Sequence, residues 1–517
     1  MGQWAQQVNV VRVIGTGVMG RGIAQLAAAA GLTVELADAR QEAVSAAVDH
    51  VGEMFGKLVG KGRMSAEEAD AATARLRPVG DPLAPADSCD LVVEAVREDL
   101  DTKRELFAGL EEVCPRHAVL ATNTSSLSVT AIGAALADPS RLIGLHFFNP
   151  VPLMKLVEVI PGARTRQDLS ADLVELVRRL GHQPVLATDT PGFLVNHAGR
   201  GLATEALQIM SESAVEPSDV DRIARDVLGL RMGPFELLDL TGLDVSHPVL
   251  ESIWSGFYGD PRLRPSGITR SRLEAGLLGR KTGEGFYRYI DGVKQEAPEP
   301  GAPDAPRRPV WVDDTEPASR DRLVSLLREA GVVVEEEPSE DAVLLVTPYG
   351  QSAAQVARSR GLPVHRVFGV DPLGDFASRL VLAVHPAADV SAAASAHVAL
   401  SATGLPVTVV ADAPATIAQR LLASIVNTAC GIAEQRIGRP ADIDTAVRVG
   451  LGYPRGPLEW GEHAGRERIL AILRNMHAET GDPRYRPSRW LVERAELGLA
   501  LTGTGTTPAE VLGGGED

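Results

Sequence analysis

Three polar clusters in this chain combine residue types that can move a proton. They are Asn123-Thr124-Ser125-Ser126, then His146-Phe147-Phe148-Asn149-Pro150, then Glu158, twelve residues beyond His146. Histidine exchanges protons near neutral pH, and a neighbouring carboxylate can orient its ring and stabilise the imidazolium that forms. Taking the proton from an alcohol while hydride leaves its carbon calls for such a base. Ser125 and Asn149 could hold the substrate oxygen through a hydroxyl and an amide. The plainer alternative is a structural histidine in an apolar strand, followed by an Asn-Pro turn.

These clusters need a sheet whose strand ends converge. Residues 8–14 (VNVVRVI) read as a strand, Gly22 to Ala30 as a helix ended by Gly31, and 32–38 (LTVELAD) as a second strand. Further strands are expected at Leu91 to Val96, Ala118 to Ala121, Leu142 to Phe148, Lys155 to Ile160 and Pro184 to Ala187, with a helix over 171–181. Alternation of this kind predicts a doubly wound α/β domain, whose ligands sit at the carboxyl ends of the strands.

Between the first strand and helix lies Gly15-Thr-Gly17-Val-Met-Gly20. In that context Gly15 permits the tight turn, Gly17 lets backbone approach a pyrophosphate, and Gly20 lets helix and strand pack closely. Asp38 ends the second strand, 21 residues after Gly17. A carboxylate there accepts from ribose hydroxyls and repels a 2′-phosphate, so the expected cofactor is NAD rather than NADP. Arg40 is the one nearby residue that would suit a phosphate.

From Asp189 to about residue 290 the patterns are mostly helical, and residues 296–309 (EAPEPGAPDAPRRP) read as a linker. Residues 310–411 form a second α/β segment, and 412 onward is helical again. The second helical segment repeats the first. Asp189-Thr-Pro-Gly-Phe aligns with Asp412-Ala-Pro-Ala-Thr, Asp219-Val-Asp221 with Asp442-Ile-Asp444, and Gly233-Pro-Phe-Glu236 with Gly456-Pro-Leu-Glu459, all at an offset of 223 residues. A constant offset over three motifs indicates a duplication. The expected layout is therefore a Rossmann-type α/β domain over 1–188, an all-α domain over 189–290, a linker over 291–309, a degenerate Rossmann-like domain over 310–411, a second helical domain over 412–503, and a flexible tail over 504–517. After Val310-Trp-Val comes Asp313-Asp-Thr-Glu, without glycine, so 310–411 is expected to bind no dinucleotide.

At 517 residues the chain exceeds one hydrophobic core, which agrees with several domains. An apolar share of 44% and a charged share of 23% are those of a soluble globular protein. The net charge of −17 disfavours nucleic acid and anionic membranes as partners, though not small anionic ligands. Cys89, Cys114 and Cys430 suggest neither a disulfide framework nor a metal site. No secretory signal and no apolar run of about 18 residues is visible, so a cytoplasmic location is expected.

VIGTGVMGRGIAQ, DLVVEAVREDLDTKRELF, ATNTSSLSVT, GLHFFNPVPLMKLVEVI, DTPGFLVN, GLRMGPFELLDLTGLD and LGRKTGEGFY occur in that order over residues 9–287. As a set they closely resemble the 3-hydroxyacyl-CoA dehydrogenase family. The resemblance implies that His146 is the general acid/base and Glu158 its partner. It implies that Ser125 hydrogen-bonds the substrate's 3-oxygen, that Asn196 completes the site, and that Asn149 contacts substrate and cofactor. Glu98, Lys103 and Lys281 match positions that touch NAD in the family, and Lys57, Lys61 and Arg63 fall where it has a mobile helical hairpin that clamps CoA. A charged, solvated helix face is the competing reading of those last three.

The second half resembles the extended members of the family, which carry a second helical domain. The position equivalent to Asn196 is Gln419, and the histidine nearest to a catalytic counterpart is His385, in Ala-Val-His-Pro. The second half is thus expected to be non-catalytic and to serve packing, either within a homodimer or as an internal pseudo-dimer. The implied reaction is NAD-dependent oxidation of a 3-hydroxyacyl-CoA, of a short chain such as 3-hydroxybutyryl or of a dicarboxylic analogue such as 3-hydroxyadipyl. The alternatives are a dehydrogenase of a non-CoA 3-hydroxy acid or sugar acid, and an inactive nucleotide-binding scaffold. A multifunctional subunit with an attached hydratase is not expected, because the chain opens directly on the nucleotide domain.

Overall fold

The computed structural model describes residues 4–212 and 215–512 and divides them between two compact units. The first comprises 1–197 with 435–451, the second 198–434 with 452–517. This grouping differs from the domain boundaries expected above. A stretch of the second helical repeat joins the first α/β domain, while both helical copies otherwise share a unit with the second sheet. Of the tail expected over 504–517, residues 513–517 lie outside the described residues, and Pro508–Val511 is helical.

Eight strands make the first unit's sheet. They are β1 (Val10–Ile14), β2 (Thr33–Ala37), β3 (Leu76–Val79), β4 (Leu91–Glu94), β5 (Val119–Thr122), β6 (Leu142–Phe147), β7 (Leu156–Pro161) and β8 (Gln183–Leu186). Their order is β3-β2-β1-β4-β5-β6-β7-β8, parallel except for the β6–β7 pair. The central strands are buried throughout, as strands covered by helices on both faces must be. Buried Arg12 of β1 is satisfied by Glu35 and by the carbonyls of Ala84 and Pro85. The antiparallel turn-back at β7 matters most for chemistry, because it sets Glu158 directly opposite His146.

The second unit contains a short hairpin, β9 (Arg288–Ile290) with β10 (Val293–Gln295), and a five-stranded sheet. That sheet has β11 (Val310–Val312), β12 (Val343–Val346), β13 (Val367–Val370), β14 (Leu380–Val384) and β15 (Val407–Ala411) in sequential order, antiparallel only at β13–β14. This is the pattern of β4 to β8. Among the described residues counterparts of β1 to β3 are absent, so Val310-Trp-Val, after which the sequence has no glycine turn, corresponds to β4. The capping chemistry is retained. Asp189 accepts from the amides of Val129 and Thr130, and Asp412 accepts from those of Ala353 and Ala354.

The two helical copies pack against each other in the second unit. Helices Arg200–Glu212 and Ile417–Glu434 approach so closely that a side chain at Gly201 would press on Ile425 Cα and the Ser424 carbonyl at 2.9 Å. Buried Arg420 meets buried Glu205 at 2.7 Å and donates to the Tyr485 hydroxyl at 2.7 Å. Gly259-Asp-Pro-Arg-Leu-Arg-Pro-Ser266 and Gly481-Asp-Pro-Arg-Tyr-Arg-Pro-Ser488 form matching turns, joined by Arg264 to Asp482 at 2.7 Å. The segment read as a free linker is pinned, because Glu299 pairs with Arg379 and Glu296 with Arg222 and Lys294.

Candidate active site

The nucleotide-facing turn is built by glycines with distinct tasks. Gly15 has φ 93°, and a side chain there would meet the Ala95 carbonyl at 2.5 Å. One at Gly20 would overlap the Gly15 carbonyl, whereas nothing lies within 4 Å of a Cβ placed on Gly17. Backbone at Gly17 is therefore open to a ligand at the start of the helix Val18–Ala29. Asp38 accepts from the Thr16 amide at 2.8 Å and the Thr16 hydroxyl at 2.9 Å. Burial pushes its carboxyl up, but the hydrogen bonds from Thr16 and the Arg40 amide outweigh this and hold it below the ordinary aspartate value. The Arg40 side chain is well exposed and 3.9 Å from Asp38. Open backbone, anionic Asp38 and free helix N–H groups form a donor and acceptor set that fits NAD.

His146 and Glu158 are buried side by side, Nδ1 to Oε2 at 2.6 Å. The other carboxylate oxygen accepts from the amides of Leu194 and Val195, each at 2.9 Å. Phe148 and Phe193 pack on the imidazole, with ring centroids at 4.4 and 5.9 Å. At the end of β6, Asn123 Oδ1 accepts from the Phe147 amide at 2.8 Å and so fixes the strand beside the histidine. With Nδ1 committed to the carboxylate, Nε2 is the imidazole nitrogen left to exchange a proton. The two amides were not legible in advance, and Asn123, singled out in the first polar cluster, is given no role of its own there. Backbone donors have no residue signature, although Gly192, with φ 77°, marks the turn that aims them.

Glu98 ties the serine cluster to the lysine expected near it. Its Oε1 accepts from Thr124 Oγ1 at 2.6 Å, the Ser125 amide at 2.8 Å and the Ser126 amide at 3.0 Å. The Ser125 hydroxyl reaches it at 3.3 Å. Lys103 lies 3.3 Å from Glu98 and 2.6 Å from the fully buried Glu94. Burial would raise the Glu98 carboxyl, but the Lys103 charge and the hydrogen bonds from Thr124, Ser125 and Ser126 hold it below the usual range. Ser125 and Asn149 are exposed and Asn196 is half-buried. Lys57, Lys61 and Arg63 are exposed where helix Gln41–Gly60 turns toward helix Ala66–Ala74. Lys281 belongs to the second unit, where it pairs with Asp244.

The second sheet has a different residue at the histidine's place. Gly144 pairs with Ile160 across β6 and β7, and Gly369 pairs with Ala383 across β13 and β14. Two residues along from these pairs stand His146 opposite Glu158 in one copy, and Asp371 with Val381 in the other. His385, singled out from the sequence, lies beyond β14 and bonds the Val364 carbonyl at 2.9 Å. Gln419, at the Asn196 position, is fully buried. It accepts from the Gly350 amide at 2.8 Å and donates to the Pro348 carbonyl at 3.0 Å and to Asp371 at 3.1 Å. Burial pushes the Asp371 carboxyl up.

Among the described residues there is no group of three acidic, histidine or cysteine side chains able to hold a metal, and no helix long and apolar enough to cross a membrane. Residues 10–190 match the family described as 3-hydroxyacyl-CoA dehydrogenase, NAD binding domain. Residues 192–289 and again 417–509 match the 3-hydroxyacyl-CoA dehydrogenase C-terminal domain, which confirms the duplication. The chain is 38% identical to 3-hydroxyadipyl-CoA dehydrogenase of Escherichia coli K12 over 491 residues, 95% of this chain and 98% of that one. A probable 3-hydroxybutyryl-CoA dehydrogenase of Bacillus subtilis is 37% identical over 283 residues, 55% of this chain and 98% of the relative. The crystal structure of 3-hydroxybutyryl-CoA dehydrogenase from Escherichia coli K12 superposes with a TM-score of 0.83 at 36% identity, covering 95% of this chain and 98% of that one. A duplicated C-terminal domain behind an intact nucleotide domain, shared with a relative along nearly its whole length, places the chain in the 3-hydroxyacyl-CoA dehydrogenase family.

Proposed function

We propose that the chain oxidises a 3-hydroxyacyl-CoA to a 3-oxoacyl-CoA at its first site, with NAD as cofactor. The observation that carries this reading is the buried His146–Glu158 pair, with Glu158 itself held by two amides. His146 takes the hydroxyl proton at Nε2. The imidazolium that forms lies against the Glu158 carboxylate, which the Leu194 and Val195 amides keep in place. NAD, when bound, supplies the hydride acceptor, and the residues that would hold it are Gly15, Gly17, Gly20, Asp38, Glu98, Lys103, Asn149 and Lys281. Ser125, Asn149 and Asn196 hold the substrate. The Ser125 hydroxyl, exposed and held only by a long contact with Glu98, is the group assigned to the 3-oxygen. Lys57 and Lys61 are the groups assigned to CoA phosphates.

The relative with the same duplicated layout is named for 3-hydroxyadipyl-CoA, which favours a short acyl group with or without a distal carboxylate. The packing of the two helical copies through Arg420 and Glu205 supports a pseudo-dimer made within one chain, and the cytoplasm is the location we propose for it. The deciding assay mixes purified protein with NADH and acetoacetyl-CoA or free acetoacetate. Oxidation of NADH with the CoA ester and not with the free acid is expected. Equal rates would favour the non-CoA dehydrogenase, and NADH binding without turnover the inactive scaffold.

A further inference from the structure

The turn that supplies the Glu158 donors has hydrogen bonds of its own, Phe193 amide to Thr190 carbonyl among them, and is also packed from outside. It runs through Gly192 at φ 77° and Phe193 at φ 48°. A bulky residue at positive φ persists only where its surroundings enforce it. Part of those surroundings comes from the other end of the chain. Ile437 accepts from the Thr188 amide at 2.9 Å. Gly438 lies so close to Leu194 that an added Cβ would meet its Cδ2 at 2.6 Å. Gly450 sits against Leu156 and Val195, where a Cβ would meet their side chains at 2.8 and 3.1 Å. Leu194, Val195 and Leu156 are all buried, and Leu156 shares a strand face with Glu158. Segment 435–451 thus packs on both residues whose amides hold the carboxylate, and on the strand that presents it.

We propose that the second helical copy, which carries no catalytic pair of its own, is a positioning part of the first site. Its segment 435–451 clamps the 188–195 turn, and through that turn it fixes Glu158 against His146. Gly438 and Gly450 are the positioning residues. This rests on the reading of His146 and Glu158 as the reacting pair. It gives the duplicated domain a task in catalysis that packing alone does not require.

Neither glycine has a positive φ, so a side chain at either tests space and not backbone freedom. Gly438→Val and, as the milder variant, Gly450→Ala are assayed in the full chain with NADH and acetoacetyl-CoA. A fall in kcat of about tenfold or more is expected, with NADH binding and the KM for the CoA ester within about twofold of the parent. Leu194→Ala, which keeps the amide and frees space, restores most of the loss in the Gly438→Val background. In a Glu158→Gln background the same glycine variants cost less than about twofold, because the carboxylate charge that they position is gone. Unchanged kcat in both variants overturns the proposal. So does an equal loss in the Glu158→Gln background, or a loss shared by NADH binding. A parent protein inactive on every 3-oxoacyl-CoA removes the underlying reading, and the proposal falls with it. An active parent with indifferent glycine variants removes the proposal alone.

Discussion

The two α/β segments of this chain share strand order and helix caps but not their buried polar residues. In the first, β6 and β7 bring His146 to Glu158 at 2.6 Å, with the Leu194 and Val195 amides on the carboxylate. In the second, β13 and β14 bring Asp371 to Val381, and Gln419 fills the space with hydrogen bonds to Pro348, Gly350 and Asp371. Asp189 and Asp412 cap the corresponding helices in the same way. The difference teaches that a fold survives on caps, strand order and apolar faces, while chemistry rests on a few side chains and on access to them. Among the described residues the second copy has no counterparts of β1 to β3, and where the first has its histidine it buries Asp371 against Gln419 and Thr416. It keeps the helical surfaces that serve the first copy.

The comparison can be broken at several points, in decreasing order of expected effect. Glu158→Gln should lower kcat by on the order of 10²-fold, because the imidazolium loses its countercharge. Steady-state kinetics with NADH binding measured alongside would check it, and a loss under about threefold would contradict the role given to the carboxylate. Glu205→Ala takes from buried Arg420 its fully buried carboxylate partner and leaves it only the partly exposed Glu212, at 2.8 Å, across the two helical copies. A loss of about 3–5 kcal/mol is expected in denaturant unfolding of the second unit. An unchanged midpoint would mean that the copies do not depend on that pair.

Asp38→Asn should weaken NADH binding about tenfold and narrow the preference over NADPH, since one residue both anchors Thr16 and repels a 2′-phosphate. Calorimetry with both cofactors reads this directly, and a variant as selective as the parent would move the discrimination elsewhere. Gln419→Ala sharpens the comparison from the other side. It strands the buried Gly350 amide, so stability should fall by about 1–3 kcal/mol while kcat stays within about twofold. A large loss of kcat with intact folding would show that the second copy's sealed site takes part in the reaction.

Much of the first copy was legible in the sequence because its demands are local. A glycine turn between strand and helix, an acid at the next strand end, and a histidine with a carboxylate twelve residues on are all short-range patterns. The duplication was legible from its constant offset. What escaped depends on register and on distant chain. Asp371 takes the histidine's place, and only strand pairing reveals it, since His385 is the nearer match by residue type. The absence of counterparts of β1 to β3 among the described residues hides behind Val310-Trp-Val, which looks like any first strand. Arg379 and Arg222 pin the acidic segment through contacts no local pattern announces. The Leu194 and Val195 amides, and the repeat segment beneath them, are backbone and packing features that residue types do not advertise.

The central claim is that reduction and oxidation of the acyl group occur at the first site alone. His146→Gln, assayed with NADH and acetoacetyl-CoA beside the parent, tests it most directly. The account predicts a loss of about 10²–10⁴-fold in kcat, with one NADH still bound per chain. Retained turnover, or two NADH bound per chain, would contradict it.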